Sequence, residues 1–180
     1  MSETAITPPA QSIEYSLFRI RRAKRPVIIA GYGAREGMNE VIALAEMMKC
    51  PVITTFKGKG LISDHHPLGA GVLGRSGTPV ASWFMNEADL LIVFGASFAH
   101  HTGITTSKPI IQVDFDRMTL GKFHGVDEPV WGEIGITAAL LREGVNTWSG
   151  DDQRAELAER WEFWREEKRA RERQDRGHGI

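Results

Sequence analysis

The chain has 180 residues, 42% of them hydrophobic and 25% charged, with a formal net charge of −1. That length suits one domain with a full core, or one domain plus an appendage. The near-neutral charge gives no electrostatic basis for binding nucleic acid or an anionic membrane, and no apolar run approaches the ~20 residues that span a bilayer.

Residues 1–11, MSETAITPPAQ, are polar and contain proline, and they read as a linker or a disordered start. They lack the apolar centre of a signal peptide, so the expected location is the cytoplasm. The folded region is expected over 12–148. Ile13, Leu17 and Ile20 stand at i, i+4 and i+7, the spacing of a helix packed on a sheet edge. PVIIAG (26–31) is a β-rich run stopped by glycine. GMNEVIALAEMMKC (37–50) places Val41, Leu44, Ala45 and Met48 at helical spacing. It ends on Cys50, the only cysteine, which reads as a core residue in a reducing compartment. PVITTF (51–56) is a second strand, and GTPVASWFMNEA (77–88) a helix with Pro79 near its first turn, where a missing N–H costs little.

DLLIVFG (89–95) is apolar on both faces, as a central parallel strand should be. PIIQVDFD (109–116) and EPVWGE (128–133) follow as strands, then the helix IGITAALLREG, ending at Gly144. Such alternation predicts an α/β fold: a doubly wound, mostly parallel six-stranded sheet with helices on both faces. Residues 149–180 form a charged helix of different character, with Leu157, Trp161 and Trp164 as one narrow apolar stripe.

In open α/β sheets ligands sit at the C-terminal strand ends, and every candidate motif lies there. GYGAREG holds Gly31, Gly33 and Gly37 between a strand and a helix, the setting in which backbone N–H groups meet a pyrophosphate. Arg35 offers a charge-assisted contact. The same turn equally suits a strand simply entering a helix, and no acid ends the second strand as an NAD fingerprint requires. LGRSGTPVA brings Gly74, Arg75, Gly77 and Thr78 to the start of a helix, with Arg75 in reach of a phosphate and Thr78 a candidate N-cap. GASFAHHTG supplies Ser97 and Phe98; its adjacent His100 and His101 diverge and have no acid or thiol at zinc spacing, so no metal site is expected. Asp114 is placed to accept hydrogen bonds from a ribose or adenine, whereas Asp116 has a turn to cap.

Four segments in order, RPVIIAGYGAR, PVITTFKGKGLISDHHPLGAGVLGRSGT, ADLLIVFGASF and QVDFDRMTLGKF, resemble the central domain of thiamine diphosphate-dependent enzymes. The acetohydroxyacid synthase, pyruvate oxidase and benzoylformate decarboxylase group is the most similar set, over about 12–145. The resemblance implies a nucleotide-binding or structural middle domain of an acetolactate synthase-like enzyme acting on 2-oxo acids such as pyruvate. In flavin-containing members of the family this domain binds the ADP part of FAD, and in some relatives ADP or nothing, while thiamine diphosphate and magnesium are held by N- and C-terminal partner domains. On that mapping Gly31 and Gly33, then Gly74, Gly77 and Thr78, then Asp114, face the nucleotide.

The chain lacks the activating glutamate domain and the Gly-Asp-Gly…Asn motif, so no catalytic residue is expected in it. Its tail resembles the lead into a C-terminal catalytic domain, and the expectation is an excised middle domain, with homo-oligomerisation among its expected contacts. Where acetohydroxyacid synthases show Phe-Asp-Asp-Arg, this chain has Phe98-Ala99-His100-His101. Two other classes compete: a free-standing NAD or FAD enzyme of sirtuin-like fold, and an interaction module working through the C-terminal helix.

Overall fold

The computed structural model describes residues 5–174. Six strands, β1 (Pro26–Ala30), β2 (Val52–Thr54), β3 (Gly69–Val72), β4 (Leu90–Phe94), β5 (Ile110–Asp114) and β6 (Glu128–Trp131), form one sheet. Their order is β3-β2-β1-β4-β5-β6, and all pairs are parallel. The helices are α1 (Ala10–Arg22), α2 (Met38–Met48), α3 (Pro79–Glu87), α4 (Ile134–Gly144) and α5 (Arg154–Gln174). The expected doubly wound α/β fold is the fold observed.

The central strands β1 and β4 are apolar throughout because each face of the sheet has its own core. Side chains alternate across a strand, so Ile28, Ala30, Ile92, Phe94, Ile111 and Val113 point to one side. There α1, α2 and α4 supply Ile20, Leu44, Met48, Ala138 and Leu141. Val27, Ile29, Leu91, Val93 and Ile110 point to the other side, onto Phe84 of α3 and Leu157 and Trp161 of α5. Each Val, Leu, Ile, Met or Phe among them contributes about 1.5–3 kcal/mol on full burial.

Five of the six strands fall on runs marked in the sequence, and β3 is the one that no such run marked. Two glycines in Gly-Ala-Gly-Val leave it with little strand propensity of its own. Backbone pairing assigns it instead: the Val52 N–H donates to Leu68 O and the Leu73 N–H to Thr54 O, both at 2.8 Å.

Part of the N-terminal segment read as a linker lies on the domain. Pro8 is buried, and the Glu133 N–H donates to Ile6 O at 2.8 Å. At the other end the chain is tied back before α5 begins. The Trp148 indole N–H donates to Ala23 O (3.1 Å), and the Gln153 side-chain amide donates to Pro26 O (2.9 Å). Leu157 and Trp161 are then buried and Trp164 is half-buried, so the apolar stripe of α5 docks on its own domain. No helix among the described residues is long and apolar enough to cross a membrane.

Candidate functional site

Strands β1 and β4 are neighbours whose following connections run to opposite sides, which opens a crevice beyond their C-terminal ends. The first glycine loop lies here, but its amides face inward. Gly31 donates to Phe94 O at 2.9 Å and Gly33 to Gly95 O at 3.0 Å. Ala34 and Gly37 donate within the loop, to Gly31 O and Ala34 O. A Cβ on Gly31 would collide with the Gly95 carbonyl and Ala96, so glycine lets the β1 loop lie directly on the β4 loop. Arg35 is exposed, over the Tyr32 ring at 4.6 Å and 3.4 Å from Glu36.

The open space is displaced toward β2 and β3. A cavity of about 270 Å³ lies between the loops that follow β2, β3 and β4. Its polar lining carries two cations, Lys57 from the first loop and Arg75 from the second, and the imidazole of His101 from the third. Thr55, Ser76 and Ser97 add hydroxyls, and no acidic residue lines it. Lys57 and Arg75 take part in no ion pair among the described residues. The second loop is rigidly framed. Thr78 caps α3 by accepting the Ala81 N–H (3.4 Å), and its own N–H donates to Val72 O (2.8 Å). This arrangement suits a small anionic ligand with phosphate groups, held by charge and hydroxyls.

Four of the residues singled out from sequence therefore meet in one place: Gly74, Arg75, Gly77 and Ser97. Gly31, Gly33, Arg35, Thr78 and Asp114 stand outside that lining, as does Phe98, which is buried in the second core with its ring 5.5 Å from His124. Lys57 and Phe56 line the cavity without having been singled out, and His101, weighed from sequence only as a metal ligand, lines it too. For Lys57 the signal was present, in the Lys-Gly-Lys-Gly that follows the second strand.

Asp114 ends β5 and is buried. Its Oδ1 accepts the Asp116 N–H, and Asp116 Oδ1 accepts the Met118 N–H, each at 2.9 Å. Buried Gln112 completes the turn, donating to Thr119 O and accepting the Gly121 N–H. Burial pushes the Asp114 carboxyl above the usual carboxylate range. The Asp116 and Phe115 amides and the Thr119 hydroxyl pull it down without cancelling that rise. Among the described residues no three His, Cys, Asp or Glu side chains converge as a metal site.

An all-parallel open sheet with a crevice beyond its strand ends defines a doubly wound α/β domain. The chain belongs to the thiamine pyrophosphate enzyme central-domain family, whose model matches residues 13–141. It is 40% identical over 149 residues to the "Probable acetolactate synthase large subunit" of Methanococcus aeolicus, covering 79% of this chain and 24% of that one. It is 37% identical over 148 residues to the acetolactate synthase isozyme 1 large subunit of Escherichia coli, covering 78% and 26%. A 3D-(3,5/4)-trihydroxycyclohexane-1,2-dione hydrolase of Clostridium perfringens is 33% identical over 138 residues, covering 74% and 21%. The chain thus spans about a quarter of the length of the curated relatives it matches.

Among solved structures, one described as a thiamin diphosphate-dependent enzyme from Mycobacterium smegmatis superposes with a TM-score of 0.69 at 22% identity, over 84% of this chain and 30% of that one. That likeness is one of fold. Membership of this family does not favour a free-standing sirtuin-like enzyme.

Proposed function

We propose that this chain is the nucleotide-accommodating middle domain of an acetolactate synthase-like enzyme, dependent on thiamine diphosphate and magnesium and acting on 2-oxo acids such as pyruvate. The observation that carries the nucleotide part is the cavity where Lys57, Arg75 and His101 converge without an acid among them. Residues of this kind fit the diphosphate of ADP or of the ADP half of FAD: two cations neutralise its charge, and Ser76 and Ser97 reach its oxygens. Asp114 stands at the end of β5 as the acceptor for a ribose or adenine. When bound, such a group supplies a fixed anion and, as FAD, a flavin ring; the protein residues hold and orient it.

In this reading the domain is not catalytic alone, because thiamine diphosphate and magnesium are held by N- and C-terminal partner domains. The parent enzyme works in the cytoplasm, where buried Cys50 stays reduced, and it assembles as a homo-oligomer. A thermal-shift titration of the purified chain with ADP, FAD and NAD tests the nucleotide part. A ligand at a hundred times its Kd should stabilise the domain by about 2.7 kcal/mol. No shift with any of the three at millimolar concentration would leave the domain as a spacer. Incubation with thiamine diphosphate, magnesium and pyruvate should give no acetolactate above a protein-free control.

A further inference from the structure

We infer that α5 is a strap that sets the position of the crevice loop Leu73–Thr78, with Trp161 and Glu156 as its positioning residues. The loop has two supports, the strand that enters it and the helix that leaves it, and α5 is fastened to both. On the strand side, the buried Trp161 indole N–H donates to the carbonyl of Gly69, the first residue of β3, at 2.7 Å. On the helix side, Trp83 of α3 donates its indole N–H to Glu156 at 3.0 Å, and the Arg160 guanidinium lies 3.4 Å over the Trp83 ring. Glu156 is itself anchored to the sheet by Arg25 at the start of β1, at 2.8 Å.

The two supports are also locked to each other. Thr78 Oγ1 donates to Ala70 O, and Gly71, at φ +81°, has no room for a Cβ against the Thr78 hydroxyl. β3, the loop and α3 thus form a closed hairpin with little slack, and a shift at either root moves the loop with it. β3 is an edge strand, hydrogen-bonded on one side to β2 alone, so nothing in the sheet restrains its outer side. The indole of Trp161 does so. Only the use of the loop as a ligand support rests on the nucleotide reading; the mechanical coupling does not.

Amide hydrogen exchange on the full chain without ligand tests the strap. Trp161→Phe keeps an aromatic ring in the core but removes the bond to Gly69. Exchange at Gly77 and Thr78 should speed up about tenfold, the effect of one buried hydrogen bond, while amides of β1 and β4 keep their rates. Glu156→Ala, which removes the acceptor of the Trp83 indole N–H, should act in the same direction should Trp161→Phe prove too unstable to measure, and Glu166→Ala on the exposed side of α5 should not. Faster exchange in α5 with unchanged rates at Gly77 and Thr78, in either variant, overturns the inference and makes α5 a passenger. Because no nucleotide is present, that outcome leaves the nucleotide reading untouched. Absence of a thermal shift with ADP or FAD leaves the strap untouched in turn.

Discussion

Asp114 and Asp116 form two successive turns of one kind, each carboxylate accepting the N–H two residues on at 2.9 Å. They differ in environment: Asp114 is buried and Asp116 exposed. Burial raises the Asp114 pKa in the fold, so the folded state binds its proton more tightly than the unfolded chain does. The ionised form therefore costs stability above the raised value, and the cost fades as pH falls toward the unfolded value near ~3.9. Asp114→Asn keeps the acceptor and removes the charge. It should raise stability at pH 7 by less than about 1 kcal/mol, allowing for screening, and show no advantage at pH 3. Urea unfolding at the two pH values checks this. The same substitution should weaken ADP binding, while Asp116→Asn should not.

Arg75 and Lys57 approach the cavity from different loops and have no acid to satisfy them. Arg75→Ala and Lys57→Ala should each weaken ADP about tenfold, the loss of one charge-assisted hydrogen bond, with little change in thermal stability. Calorimetric titration should also give a weaker salt dependence in each variant. Equal affinity in the wild type and both variants would place the ligand elsewhere.

Glu156 carries the opposite pH signature to Asp114. Partial burial pushes its carboxyl up, but hydrogen bonds from Trp83 and Arg25 and the charges of Arg25 and Arg160 outweigh burial and hold it below the usual range. Its stabilisation is present above the unfolded value near ~4.3 and is lost as pH falls through the lower folded value. Glu156→Gln should cost about 1 kcal/mol at pH 7, discounted for partial exposure, and much less at pH 3. Parallel pH–stability curves for wild type and variant would contradict this.

Cys50 is fully buried at the end of α2, and burial pushes its thiol far up. Thiol reagents should leave the native protein unmodified at neutral pH and react only through opening of the domain. The modification rate should follow the unfolding equilibrium as urea is added. Fast labelling in buffer alone would show that the α2–β2 junction opens locally.

The fold was legible where one pattern served one element. Leu90–Phe94 and Pro26–Ala30 are apolar on both faces and could only be central strands. β3 was not, since Gly69 and Gly71 carry no side-chain pattern and only the neighbouring strand's hydrogen bonds define it. Thr78 and Pro79 marked the start of α3 correctly because a cap is a local device. The cavity is not local. It needs Lys57, Arg75 and His101 from three loops, and adjacency of those loops follows from strand order rather than from spacing along the chain. The Gly31 and Gly33 turn has the composition of a phosphate loop, yet its amides are consumed by the β4 loop lying against it. Composition cannot tell those two uses apart.

The bonds that tie α5 and the segment before it to the sheet join residues far apart in the chain: Arg25 with Glu156, Pro26 with Gln153, Gly69 with Trp161, at separations of 131, 127 and 92. In a polypeptide made from its N-terminus these contacts become available only after the sheet's own. Strands β1 to β6 must hold their register through the whole synthesis of residues 132–161 with the outer side of β3 still bare. The half-made domain is then most exposed to pairing with another chain along β3, so its yield of correctly folded protein should depend on how quickly residues 132–161 follow the sheet.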